Sequence, residues 1–340
     1  MRNDTRARYN QYVAAVALAN AIAFADAAKS FVAAPTVEQV LYKKVQDTSE
    51  FLKKINMPMV RDLAGEIIGM GISGTIAGRV NVATTDRLGS DPSNLEDRAY
   101  LCKSTDFDVS IPWAKLDQWS KFPNFFALWA ALVAERIAHD MIMIGWNGTS
   151  AATATDRNAN PLLQDVNIGW LQKQRTENAG RTLTQVGGTG KITYGHVDAN
   201  YINLDALVYD MVNTLLPPWA ADDTGLVAIV GRSLLHDKYF PLINKEQDAQ
   251  NTLATDIIMS SKRLGGLPAV RVPHFPDGKI FVTRYDNLSI YIQDQSTRRK
   301  IDDNHKRKRV EDYNSANHAY VIEDLEFACL AENIEEFEEE

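Results

Sequence analysis

Tyr9, Tyr12, Val16, Ala19 and Ala23 recur every three or four positions in an alanine-rich opening, which predicts an amphipathic first helix. FVAAPT at 31–36 breaks the period, a second helical stretch runs from Val37 to about Ile55, and Pro58 ends it. The clearest element is PNFFALWAALVAERIAHDMIMIGWNG. There Phe126, Trp129, Val133, Ile137, Met141 and Ile144 line one face of a helix of about 21 residues and ~31 Å. Pro123 suits its first turn, and Gly145 with Asn147–Gly148 its end. A further helix is predicted from about Leu204 to Leu216, stopped by Pro217–Pro218.

Between these helices the pattern changes period. Residues 61–112 carry scattered glycines and β-branched residues around a polar tip, TTDRLGSDPSN, which predicts a long β-hairpin or extended loop. GLVAIV at 225–230, a helix beginning near Ser233 and PAVRV at 268–272 form one β-α-β-like unit. KIFVTR and NLSIYIQ follow as strands, then a basic stretch, two more strands around HAYVIED and EFACLAE, and a solvated EEFEEE tail.

Composition narrows the function classes. With 340 residues, 45% of them hydrophobic, the chain can bury a substantial core, and its length suggests about two domains. A formal net charge of −8 argues against affinity for nucleic acid through an overall positive field, leaving only local basic patches. Cys102 and Cys329 match no metal or redox spacing and read as two ordinary thiols. Arg2, Arg6 and Arg8 before VAAVALANAIAFADAA imitate a secretory signal, but Asn20 and Asp26 interrupt the apolar run and the helical period favours a packed helix. FFALWAALVA at 125–134 is only ten residues long, short of the roughly 20 that a membrane span needs.

Each glycine motif fails on its context. In QVGGTGKIT, Gly190 and Lys191 fit a phosphate loop, but Gln185 and Ile192 occupy the positions of its first glycine and its hydroxyl. Gly69, Gly71 and Gly74 spell G-x-G-x-x-G, yet the following TIAGRVNVATT is no helix former. GRSLL at 231–235 lacks the second glycine of a nucleophile elbow, so Ser233 reads as a helix N-cap. His139, His196, His236, His274, His305 and His318 are dispersed, with no metal-ligand spacing. No catalytic residue, metal site or cofactor is assigned. RRKIDDNHKRKR gathers Arg298, Arg299, Lys306, Arg307 and Arg309, which could face phosphates or another subunit. Interleaved acids and absent aromatics favour pairing with an acidic surface of another copy over base recognition.

Four long strings carry a resemblance: MRNDTRARYNQYVAAVALAN, NPLLQDVNIGWLQKQR, GLVAIVGRSLLHDKYFPLINKEQ and RLGGLPAVRVPHFPDGKIFVTRYDNLSIY. Through them the chain resembles, nearly end to end, the major capsid proteins of peduovirus-type, or P2-like, tailed phages. The resemblance implies the Hong Kong 97-type capsid fold, α+β, with a domain map as follows: a scaffold-associated helix over 1–31, removed on maturation; an N-terminal arm over 32–60; an extended loop over 61–112; a peripheral domain with a long spine helix over 113–199; an axial domain over 200–295; and a return to the peripheral domain with an acidic tail over 296–340. In that setting Gly187, Gly188 and Gly190 supply turns.

The implied function is an icosahedral procapsid, then a mature virion head, assembled in the bacterial cytoplasm. Its partners are other copies in pentamers and hexamers, an internal scaffolding protein, a maturation protease, a portal, and double-stranded DNA held without sequence specificity. Cleavage is expected near Phe31 or Val32, and Ile67, Ile68, Ile72 and Ile76 of the loop are expected to gain burial between subunits. Some relatives with this fold cross-link a loop lysine to a distant asparagine. Here Lys103 is the one lysine between Lys54 and Lys115 and lies near the loop's base, so non-covalent assembly is expected. The rival readings are a soluble nucleotide-binding enzyme using a glycine-rich loop, and an exported binding protein.

Overall fold

The computed structural model describes residues 1–72, 79–80, 84, 86, 93–119, 122, 124–235 and 262–337. The chain opens with helix α1 (Asn3–Ala19), a short strand β1 (Phe31–Val32) and helix α2 (Pro35–Asp47). Helix α2 stops well before the expected Ile55, because the Thr48 hydroxyl donates back to the Val45 carbonyl at 2.6 Å and diverts the backbone into turns. Strand β2 (Met59–Val60) precedes the predicted hairpin, formed by β3 (Ala64–Ile72) and β4 (Ser93–Leu101). Their antiparallel register runs from Ala64 opposite Leu101 to Ile72 opposite Ser93. The rest of the 61–112 segment is not hairpin: β5 (Lys103–Asp106) and β6 (Val109–Pro112) enter a larger sheet.

Helices α3 (Trp113–Trp119), α4 (Phe125–Asn147) and α5 (Trp170–Glu177) follow. Helix α4 is the predicted long helix, with Asn124 at its N-cap, while Pro123 lies outside the described residues. Its stripe is graded: Ile137, Met141 and Ile144 are buried, whereas Phe126, Trp129 and Val133 are half-buried. Strands β7 (Thr182–Leu183) and β8 (Ile192–Tyr194) lead to α6 (Leu204–Leu215) and α7 (Pro218–Ala221). Then come β9 (Val227–Val230), β10 (Arg263–Leu264), β11 (Leu267–Val270), β12 (Ile280–Thr283) and β13 (Leu288–Gln293). The chain closes with β14 (Arg298–Asn304), β15 (Arg309–Ile322), β16 (Cys329–Ala331) and β17 (Ile334–Glu336).

Two sheets organise the molecule. The seven-stranded sheet runs β1-β14-β15-β13-β2, with β5 and β6 on the other edge of the long central strand β15. The six-stranded sheet runs β10-β11-β9-β12-β16-β7, and β17 pairs with β8 in a separate ribbon. Strands β9 and β11 are parallel neighbours, as the β-α-β pattern requires. Sheet membership crosses the expected segment boundaries. Strand β13, inside 200–295, joins the seven-stranded sheet, while β16 and β17, inside 296–340, pair with β12 and β8. The EEFEEE tail therefore begins inside a strand.

The cores explain the continuous apolar run of GLVAIV. Val227 and Ile229 face a core around Trp146, Trp170, Phe281 and Tyr320, and Ala228 and Val230 face a second one under α6, so β9 is buried on both faces. Helices α4 and α5 meet closely through glycines. A Cβ on Gly148 would lie 2.1 Å from the Asn167 carbonyl oxygen, and one on Gly169 2.4 Å from that of Gly145. A third cluster packs α1, through Tyr9, Val13 and Val16, onto Ile111, Leu116, Ile301 and Val310.

Candidate assembly surfaces

Helix α1 is tied down at both ends. The Arg2 amide donates to Asp117 at 2.8 Å, and Arg6 pairs with Asp303 at 2.5 Å. Beyond the helix, the Ala34 amide donates to Asn20 at 3.0 Å, and the Ala33 amide to the Thr297 carbonyl at 2.8 Å. Phe31 and Val32 form the margin of the seven-stranded sheet opposite Arg299 and Arg298, and Val32 is 48% exposed. The structure thus places the expected processing region in a two-residue edge strand held by only two register pairs. Just after it, fully buried Glu38 accepts from the Gln295 amide at 2.9 Å, the Thr297 amide at 3.2 Å and the Thr297 hydroxyl. This carboxylate fixes the turn between β13 and β14, where Gln295 has φ +57°. Sequence reading missed it, since nothing local distinguishes Glu38 from a solvated helix residue.

The basic stretch forms one strand and the tip of a β-hairpin, β14 to β15, with a short 3-10 turn at that tip. Its cations divide into two classes. The Arg299 guanidinium donates to both carboxylate oxygens of Asp312, at 2.9 and 2.6 Å, and to the Tyr12 hydroxyl at 2.6 Å. Arg309 donates to Glu311 at 2.5 Å. Hydrogen bonds from Asn304 and Tyr313, then the Arg309 contact, hold the Glu311 carboxyl down to about 2. Arg299 and Arg309 therefore serve the hairpin itself, while Arg298, Lys306 and Arg307 remain exposed. The alternation that would have revealed β14 is weak, because Ile301 is its one buried residue.

The hairpin β3–β4 is anchored by its base. Ile67, Tyr100 and Cys102 pack on Ala319 and Val321, and the Tyr100 and Tyr291 rings meet edge to face at 5.0 Å. Arg98 donates to the carbonyls of Ile322, at 2.8 Å, and Glu323. Ile67 is already 5% exposed in the single chain, so it has little surface left to lose to a neighbour, contrary to expectation. Ile68 and Ile72 lie further along β3, and Ile76 lies outside the described residues.

The glycines of the 185–193 loop supply turns. Gly187, Gly188 and Gly190 take positive φ of 65°, 77° and 76°, the Gly190 amide donates to Gln185 at 2.9 Å, and Lys191 pairs with Glu335 at 3.2 Å. Gly69 and Gly71 lie within β3, while Gly74 lies outside the described residues. Ser233 does not cap its helix by accepting: its amide and hydroxyl both donate to Asp277 at 3.1 Å. No group of three or more candidate metal ligands occurs among the described residues, and no helix among them is long and apolar enough to cross a membrane.

Comparison with known proteins agrees with an assembly role. Residues 8–334 match the family described as phage major capsid protein, P2 family. The capsid proteins of Escherichia phage P2 are 44% identical over 98% of this chain and 95% of theirs. The major capsid protein of Serratia phage KSP20 is 37% identical over 95% of this chain and 94% of its own. A chain in the satellite phage P4 procapsid that includes the size determination (Sid) protein superposes with a TM-score of 0.82 at 40% identity, covering 99% of both chains. The capsid of an empty GTA particle, at TM-score 0.51 and 15% identity over 85% of this chain and 90% of that one, shares the fold.

Proposed function

As a member of the P2 family of phage major capsid proteins, the chain is a virion capsid subunit, and we propose that its copies form pentamers and hexamers of an icosahedral procapsid that matures around double-stranded DNA. The α+β architecture is of the Hong Kong 97 type that it shares with phage capsids. The nucleotide-enzyme reading gives way to this family and to a 185–193 loop whose Gly190 amide donates within the loop, to Gln185.

The observation that carries the reading is the β3–β4 hairpin, a two-stranded sheet of its own joined to the body through its base. An isolated two-stranded ribbon is marginal in water, so a subunit that projects one is completed by lying over a neighbour. The domain map given above is the arrangement proposed for that shell, with α4 as the spine helix and β3–β4 as the extended loop. Internal scaffold, maturation protease and portal are the proposed partners. Residues 1–31 carry a net +2, so cutting near Phe31 or Val32 leaves −10 on the chain and removes α1 from its seat. Electron microscopy of the chain expressed with the scaffolding protein of its phage tests the proposal. Closed particles are expected, and a persistently monomeric chain contradicts it. Mass spectrometry of mature particles tests the cut, which retention of Met1 contradicts.

A further inference from the structure

Two surface features meet at opposite ends of α3, a helix about 10 Å long. At its start, the Trp113 amide donates to the Lys308 carbonyl at 3.0 Å, the indole donates to Asp303 at 2.8 Å, and the ring lies 5.3 Å from that of His305. The tip of the β14–β15 hairpin and the first turn of α1 are thereby gathered into one corner. Arg2, Lys115, Lys306, Arg307 and Lys308 are all exposed there. Of the carboxylates there, Asp303 is engaged by Arg6 and Trp113 and Asp117 by the Arg2 amide, while Asp4 in the first turn of α1 is exposed among the five cations. At the far end of α3, Trp119, Phe122, Leu128 and Leu132 are 51–60% exposed, and Trp119 lies 6.5 Å from Phe122. Leu128 and Leu132 stand one turn apart on the half of α4 that the core leaves uncovered.

We propose that this corner docks an amphipathic helix of a partner protein, with its apolar face on Trp119, Phe122, Leu128 and Leu132 and its carboxylates on the cations beside them. Charge complementarity sets the partner's sign, and the apolar strip sets its class: a phosphate backbone has no use for two exposed leucines. This deepens the scaffold contact proposed above and rests on that reading. Because α1 supplies Arg2 and braces the hairpin tip through Arg6, removal of residues 1–31 weakens the corner, so release of the partner is built into maturation.

The test uses the soluble full-length chain, so its failure is separable from failure of shell assembly. The probe is a fluorescent peptide of about five helical turns with leucines on one face and glutamates on the other. Its counterpart carries lysines for the glutamates, and a short DNA duplex serves as competitor. Anisotropy is expected to show binding of the glutamate peptide alone, weakening with added salt. The Lys306→Glu/Arg307→Glu and Leu128→Asp variants, checked for unchanged circular dichroism, are each expected to bind about tenfold more weakly. Equal binding of the two peptides, displacement by the duplex, undiminished binding to both variants, or no binding by the unmodified chain would each overturn the proposal. So would sedimentation showing that Leu128→Asp abolishes self-association of the chain while leaving peptide binding intact.

Discussion

At the scale of single residues, closeness of approach and buried polarity decide the outcomes. Gly148 and Gly169 have ordinary φ values, −63° and −89°, so it is space and not backbone conformation that demands glycine. Gly148→Ala drives a methyl into a backbone carbonyl at the α4–α5 junction, and a loss of about 3 kcal/mol is expected in denaturant unfolding. His318 is fully buried on β15, with Nε2 sharing a 3.0 Å hydrogen bond with the Tyr42 hydroxyl, and burial lowers its pKa to about 4. The folded chain keeps this imidazole neutral while the unfolded chain protonates it below about 6.5. Its contribution is therefore intact above pH 6.5 and lost as pH falls toward 4, on the order of 3 kcal/mol in all. Unfolding titrations of a His318→Gln variant should lack that slope, and an unchanged slope would contradict the assignment. Glycine contacts of this kind leave no trace in a hydropathy pattern, and the six histidines look alike in sequence. What separates His318 is the sheet that buries it.

At the scale of elements, what could be read in advance followed from how many apolar side chains each element commits to a core. Helix α4 announced itself through a six-residue stripe, β9 and β12 through unbroken apolar runs, and the hairpin through its polar tip. Strand β14 did not, because ion pairs and hydrogen bonds to β15, more than buried area, hold it in place. The arm was equally opaque, since Glu38 acts on residues some 260 positions away. Glu38→Ala leaves two amides and a hydroxyl of the 295–297 turn without their acceptor, and a loss of about 3 kcal/mol is expected in equilibrium unfolding. Arg98→Ala removes the donors to Ile322 and Glu323. Limited proteolysis is then expected to cut within the β3–β4 hairpin several-fold faster while the two large sheets stay resistant. Cleavage at the unmodified rate would show that Ile67 and Tyr100 suffice as anchors.

At the scale of the whole molecule, the chain folds around its own cores yet leaves surface that only other molecules can cover. The assembly residues expected from sequence fell on both sides of that divide: Ile67, Arg299 and Arg309 turned inward, while Arg298, Lys306 and Arg307 stayed outside, as did Val32 of the expected processing region. Sequence marks such residues by type and neighbourhood, but only the pairing of strands decides which cation meets an internal carboxylate. Non-covalent assembly predicts single-chain bands when particles are run on a denaturing gel, and covalent multimers would contradict it. The central claim, that the extended hairpin finds its missing burial on a neighbouring copy, is tested most directly by hydrogen exchange of β3 and β4 in isolated subunits and in closed particles. Amides near Ile67 and Tyr100 should be protected in both states, and those toward Ile72 and Ser93 only in particles. Equal protection of the outer amides in both states would contradict the account.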